Sequence, residues 1–296
     1  MRPLSIAALQ TAPVPHDPDA TLRVLAEQVP AVKAAVPHVQ LILLPELHLS
    51  APPPILEEHS GYAGRAAVEV PGPLTDALGR IAAGAGVWLV PGSVYERGGD
   101  GRIHNTALVF SPDGGLEASY RKVFPWQPHE ACAPGDQFVT FDVPDVGRLG
   151  LAICYDGSFP ETFRQLAWMG AEVILQANLT STSDRGQELV MARANAIFNQ
   201  LYVVSLNASA PAGVGRSVIV DPEGLVRVTG GSSEELLTDV LDLEAVERVR
   251  RYGTAGVSRM WEQVLREGPG VELPMYGGRV SERATAHGAR KADGRP

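Results

Sequence analysis

Apolar residues in this chain gather into short runs of strand length that recur almost throughout. They are LSIAAL (4–9), QLILLPE (40–46), VWLVPGSV (87–94), NTALVFS (105–111), LGLAIC (149–154), EVILQA (172–177), LYVVSLN (201–207), RSVIV (216–220) and LLTDVLDL (236–243). Several are continuous rather than alternating, which suits strands covered on both faces. Between them, helical spacing is legible over 20–35, 74–85, 160–169 and 185–199, and the third opens on a Pro-Glu pair suited to a first helical turn. SPDGG (111–115) and DPEG (221–224) carry turn chemistry that joins neighbouring strands as hairpins. This mixture predicts α/β layering, with helices covering large mixed sheets. APPPILEEHSGYAGRA (51–66) reads as a surface excursion too rich in Pro and Gly for a regular element. The pattern predicts one domain over 1–276. The segment 277–296, nearly devoid of apolar residues, reads as a disordered tail or an arm lying on a neighbouring copy.

Composition narrows the function. A chain of 296 residues with a net charge of -9 lacks the basic character of a nucleic-acid surface. No apolar run approaches the length of a membrane helix, and the N-terminal run is too short for a secretory segment. With Cys132 and Cys154 as the only cysteines, a disulfide framework is not expected and the reading is cytosolic. The histidines show no metal-ligand spacing, so neither a metal nor another cofactor is predicted.

Candidate chemistry lies at strand ends, where α/β folds bind ligands. Glu46 ends LILLPE, Lys122 follows LEASY, and Cys154 ends LGLAIC. Each has an ordinary explanation: charged residues commonly finish strands in solvent, and most free cysteines are small buried hydrophobes. Together they supply a nucleophilic acyl-transfer site. A thiol needs a base, which a buried carboxylate can be. The oxyanion formed on attack needs positive charge or N–H donors, which Lys122 and the Tyr155 backbone amide can offer.

At this point the motifs LLPEL, YRKVFPW and CYDGSFPE resemble, in order and spacing, the three signatures of the nitrilase superfamily of carbon–nitrogen hydrolases. The resemblance runs over about 4–243. It implies a four-layer αββα sandwich of two mixed β-sheets, usually dimerised. It also implies a general base at Glu46, an oxyanion-stabilising lysine at Lys122 and a thioester-forming nucleophile at Cys154. WQPHEACAPGD (126–136) is similar to the segment in which the family carries a second acid, and points to Glu130.

The resemblance also bears on the substrate. Relatives acting on ω-amides of dicarboxylates carry an arginine where this chain has Ser158, and serine cannot pair with a carboxylate. YRKVFPWQPHE with DGSFPE is closer to short-chain amide and formamide hydrolases. The expected substrate is therefore a small neutral amide, hydrolysed to carboxylate and ammonia, with Trp126, Tyr155 and Asn178 lining its pocket. The runner-up is an N-carbamoyl amide hydrolase, in which Arg185 would meet a carboxylate or carbamoyl group, or an ω-amidase. Acyl transfer to another nucleophile and a non-catalytic binding member are the remaining alternatives. A homodimer or higher homo-oligomer is the expected assembly.

Overall fold

Side chains along a strand alternate between faces, and in this protein that alternation builds the layers. In the computed structural model, which describes residues 1–53 and 59–263, β1 (Pro3–Gln10) directs Leu4, Ile6 and Ala8 into one apolar cluster and Ala7 and Leu9 into another. The first cluster lies between two sheets. It is closed from the other side by Leu149, Leu151 and Ile153 of β8 (Gly147–Ile153), Val173 and Leu175 of β9 (Val173–Asn178), and Val204 and Leu206 of β10 (Tyr202–Asn207). The outer face of the first sheet packs on α1 (Pro18–Ala35) and α3 (Pro73–Ala85) through Leu25, Val29, Leu78 and Ala82. That of the second sheet packs on α4 (Pro160–Trp168) and α5 (Arg185–Asn199) through Phe163, Leu166, Ala192 and Ala196. The result is helix, sheet, sheet, helix. Each buried leucine here is worth roughly 2–5 kcal/mol against truncation to alanine.

Both sheets are mixed. The first runs β13 (Glu235–Asp242), β1, β2 (Leu41–Leu43), β3 (Trp88–Val90), β5 (Ile103–Phe110), β4 (Ser93–Arg97), with β6 (Leu116–Arg121) also paired to β5. The second runs β12 (Val226–Thr229), β11 (Val218–Val220), β10, β9, β8, β7 (Thr140–Val143). Parallel strands sit centrally in each, β1-β2-β3 and β8-β9-β10, with antiparallel partners outside. The carboxyl ends of β2, β8 and β9 therefore reach one region of the molecule.

Two sequence expectations need correction. The run 87–94 is two strands, broken at Gly92, whose φ of +79° and approach to Pro45 O, 1.7 Å from where a Cβ would stand, leave room only for glycine. Within the 51–66 stretch, α2 (His59–Ala66) is helical although it carries Gly61 and Gly64. Packing outweighs the roughly 1 kcal/mol each glycine costs: Tyr62 and Ala63 are buried against Leu47 and Tyr95, and the Tyr62 hydroxyl donates to Ser50 O at 2.8 Å. Residues 54–58 of that stretch, the domain boundary at 276 and the 277–296 tail lie outside the described residues. Two further helices close the described chain, α6 (Glu244–Tyr252) and α7 (Met260–Glu262). Among the described residues, no helix is long and apolar enough to cross a membrane.

Candidate active site

Glu46 lies just beyond β2, where the chain turns sharply: Leu47 adopts a left-handed φ of 52° and its N–H donates to Ser93 Oγ at 2.9 Å. Lys122 follows β6, its backbone N–H bound to Asn105 O at 2.8 Å and its carbonyl accepting from Gly135 N at 2.8 Å. Glu130 closes a tight turn in which Glu130 N donates to Trp126 O at 2.7 Å and Trp126 N donates to Glu130 Oε2 at 3.0 Å. These three side chains meet. Lys122 Nζ donates to Glu46 Oε1 at 2.9 Å and to Glu130 Oε2 at 2.7 Å. Asn105 Nδ2, on β5, bridges the same two carboxylates at 2.8 Å each. Lys122 and Glu46 are only 1% and 4% exposed, so this is a dry network rather than a surface ion pair.

Cys154 ends β8 and begins a 3-10 turn over Cys154–Ser158. Its φ of +43° is unusual for a residue with a side chain and marks a strained elbow. Two buried polar side chains hold that elbow. Gln176 Nε2 donates to Cys154 O at 2.9 Å, packed where a Cβ on Gly157 would lie only 2.2 Å from it. Asp156, wholly buried, accepts from Ile153 N at 2.9 Å, Phe124 N at 3.0 Å and the Tyr120 hydroxyl at 2.8 Å. Asp156 thereby ties the cysteine turn to the segment that carries Lys122. The Tyr155 N–H stands in the first turn of the 3-10 helix, where no intrahelical acceptor reaches it.

The charges are unequal by design of their surroundings. One ammonium faces two carboxylates, so the carboxylates cannot be equally acidic. Burial raises the affinity of Glu46 for a proton, against the pull of Lys122. Burial works the same way on Glu130, but Lys122, the Trp126 amide and Asn105 together hold its carboxyl below the usual range. Lys122 stays firmly protonated: its two carboxylate neighbours outweigh burial. Burial, reinforced by Glu46, pushes the Cys154 thiol well up, with Lys122 opposing. The resting group is a thiol beside the more proton-hungry carboxylate.

A cavity opens over Cys154, with about 60 Å³ available to the centre of a water-sized sphere, which suits a compact ligand. Trp126 and Tyr155 line it, with Glu46, Lys122, Glu130 and Cys154. Asn178 does not. It is fully buried, and its Nδ2 donates to Gln176 O, Leu206 O and Ser205 Oγ at 3.0–3.1 Å, so its side chain serves the sheet instead. Arg185 is also turned away: at 1% exposure its guanidinium donates to Glu188, Ser205 and Arg216 O. Sequence reasoning passed over Asn105, Thr180 and Glu188. Thr180 Oγ1 lies 3.8 Å from Cys154 Sγ and donates to Glu188 Oε1 at 2.7 Å. Cys132 packs with Leu47, Tyr62, Ala63 and Tyr95, and burial pushes its thiol up to about 12.

Known proteins share this arrangement of chain. A mouse omega-amidase NIT2 is 32% identical over 62% of this chain and 72% of its own length. A formamidase from Bacillus cereus (strain Q1) is 30% identical over 84% of this chain and 78% of its own. Among solved structures, Saccharomyces cerevisiae Nit3, of the nitrilase superfamily, superposes with a TM-score of 0.75 at 27% identity, covering 84% of this chain and 94% of its own. An amidase from Nesterenkonia sp. AN1, with the acetamide moiety of fluoroacetamide added covalently at its active-site cysteine, gives a TM-score of 0.69 at 25% identity, with the same coverages of 84% and 94%. The carbon–nitrogen hydrolase family model matches residues 5–251, and the chain belongs to that family.

Proposed function

We propose that this protein is an amidase that cleaves a small amide carrying no carboxylate, as a neutral amide does, through a thioester on Cys154. The observation that carries this reading is the convergence of a thiol, a proton-hungry carboxylate and a paired ammonium on one cavity. Glu46 takes the thiol proton as sulfur attacks the amide carbon. The oxygen gains charge beside Lys122 Nζ and the Tyr155 N–H. The C–N bond breaks, the proton returns to nitrogen, and ammonia leaves. Water, deprotonated by Glu46, then attacks the thioester, releasing the carboxylic acid and restoring the thiol. Glu130 orients Lys122 and keeps its charge in place. Two points support this reading: the covalent adduct at the active-site cysteine of a mutant of the Nesterenkonia amidase, which speaks for a nucleophilic thiol, and the formamidase and omega-amidase names of the relatives.

A carboxylate-bearing substrate fits less well, because Lys122 on the cavity wall is already paired with Glu46 and Glu130, and Arg185 is already spent on Glu188. A cytosolic setting suits a mechanism that needs a free thiol. We also read the protein as a homodimer joined through α4 and α5. The outward side of α5 carries Val190, Ile197 and Phe198, and α4 carries Trp168, all exposed large hydrophobics. Ammonia release from formamide, propionamide, butyramide, glutaramate and an N-carbamoyl amino acid tests the reaction. Turnover of a neutral amide, lost in Cys154→Ala, is expected; turnover of glutaramate or the carbamoyl compound alone would reject the substrate assignment.

A further inference from the structure

Charge around the cavity goes further than the absence of a carboxylate partner. Among the described residues, the wall carries four carboxylates, Glu46, Glu130, Asp184 and Glu188, against one ammonium, Lys122, and one imidazole, His129, so the carboxylates outnumber the basic groups two to one. Lys122 is bound to both Glu46 and Glu130, which leaves that trio one negative charge in excess. Glu188 is matched by Arg185, but only from behind the wall, and each of its oxygens accepts a single hydrogen bond, so both keep free lone pairs. Asp184 accepts the Thr182 hydroxyl and forms no ion pair among the described residues. The cavity is thus net negative, and its ammonium is fully engaged. The aromatic rings of Tyr95, Trp126 and Tyr155 share the wall, and such faces attract cations.

Distance adds a direction. Glu188 is one hydroxyl away from the thiol: Thr180 Oγ1 stands 3.8 Å from Cys154 Sγ and donates to Glu188 at 2.7 Å. Glu46 and Lys122 line the same cavity. An acyl chain attached to Sγ lies in the same compact cavity as Glu188 and Asp184, and Thr180 sets Glu188 close to the sulfur. A short chain ending in ammonium would find acceptors there, whereas one ending in carboxylate would meet like charge with no free ammonium.

We propose that the preferred substrate is a short-chain amide whose acyl end carries an ammonium group, selected by Glu188 together with Asp184. The inference rests on the amidase reading and names its substrate class. The test uses Cys154→Ala, which can bind but not react, with three probes in calorimetry at low salt: β-alaninamide, its uncharged isostere butyramide, and succinamate. β-Alaninamide is expected to bind about tenfold more tightly than butyramide, and succinamate more weakly than either. Adding Glu188→Gln should remove most of that advantage. Because this change leaves Arg185 buried without its partner, Asp184→Asn, at a half-buried site, serves as the second variant and should reduce the advantage severalfold. Equal or tighter binding of butyramide, tightest binding of succinamate, an advantage unchanged in both variants, or no binding of any probe would overturn the inference. Ammonia release from butyramide by the unaltered enzyme reads the amidase reaction separately, so failure of the selectivity and failure of the chemistry give different results.

Discussion

At the scale of single residues, Lys122 has two tasks that a mutation can separate. It neutralises two buried carboxylates, and in the proposed reaction it faces the oxyanion. Lys122→Met leaves Glu46 and Glu130 against each other, which should cost about 3–5 kcal/mol of stability, read by denaturant unfolding. It should also lower kcat/KM by at least about a hundredfold. Adding Glu130→Gln removes one of the stranded charges and should return much of the stability but none of the rate. Recovery of rate in the double variant would show that Lys122 acts only as a structural counter-ion. The candidates Glu46, Lys122 and Cys154 were legible because each follows or ends a strand inside a recognisable motif, and Glu130 because the segment 126–136 around it resembles the family's own. Asn105 was not: an asparagine opening an apolar strand looks like any other strand-end polar group, and its bridge between Glu46 and Glu130 exists only once the sheet sets β5 against β6 and one strand away from β2, across β3. Asn178 was misjudged for the converse reason. Its position at a strand end is visible in the sequence, but the inward turn of its side chain is not.

At the scale of elements, the turn after β8 has to hold a strained cysteine against a loop from the other sheet. Asp156 makes that connection, through Ile153 N on one side and Phe124 N and the Tyr120 hydroxyl on the other. Asp156→Asn turns one of these acceptors into a donor and should cost roughly 1–3 kcal/mol. As Lys122 loses register with Cys154, kcat should fall several times more than KM rises. Restoration of kcat by Asp156→Glu, or a change confined to KM, would contradict this positioning role. The helices over 20–35, 74–85, 160–169 and 185–199 were readable because apolar positions recur at helical spacing, and at Pro160 a proline marks the start. Helix α2 was hidden because its stability comes from Tyr62 and Ala63 packing on distant residues. The break between β3 and β4 was hidden because it depends on the carbonyl of Pro45 pressing against Gly92.

For the whole molecule, the exposed surface carries a message opposite to that of the core. Helix α5 buries Asn195 and Asn199 and exposes Val190 and Phe198, an inversion that makes sense when a second copy covers the outward side. Sedimentation should find a dimer at micromolar protein, and Val190→Glu with Phe198→Glu should yield a folded monomer. A monomeric parent, or a variant that stays dimeric, would contradict pairing through this face. The layered architecture was legible as a class, since unbroken apolar runs alternate with helical ones. The assignment of each run to the inter-sheet core or the helix-covered faces follows from register, which a run such as LILL (41–44) leaves open.

The central claim is a covalent acyl-enzyme on Cys154, and intact-mass spectrometry of acid-quenched reactions tests it most directly. With butyramide, the enzyme should gain the mass of one butyryl group, mapped by peptide analysis to Cys154. The adduct should be absent from Cys154→Ala. Turnover without any adduct, an adduct on Cys132, or ammonia release by Cys154→Ala would contradict the account.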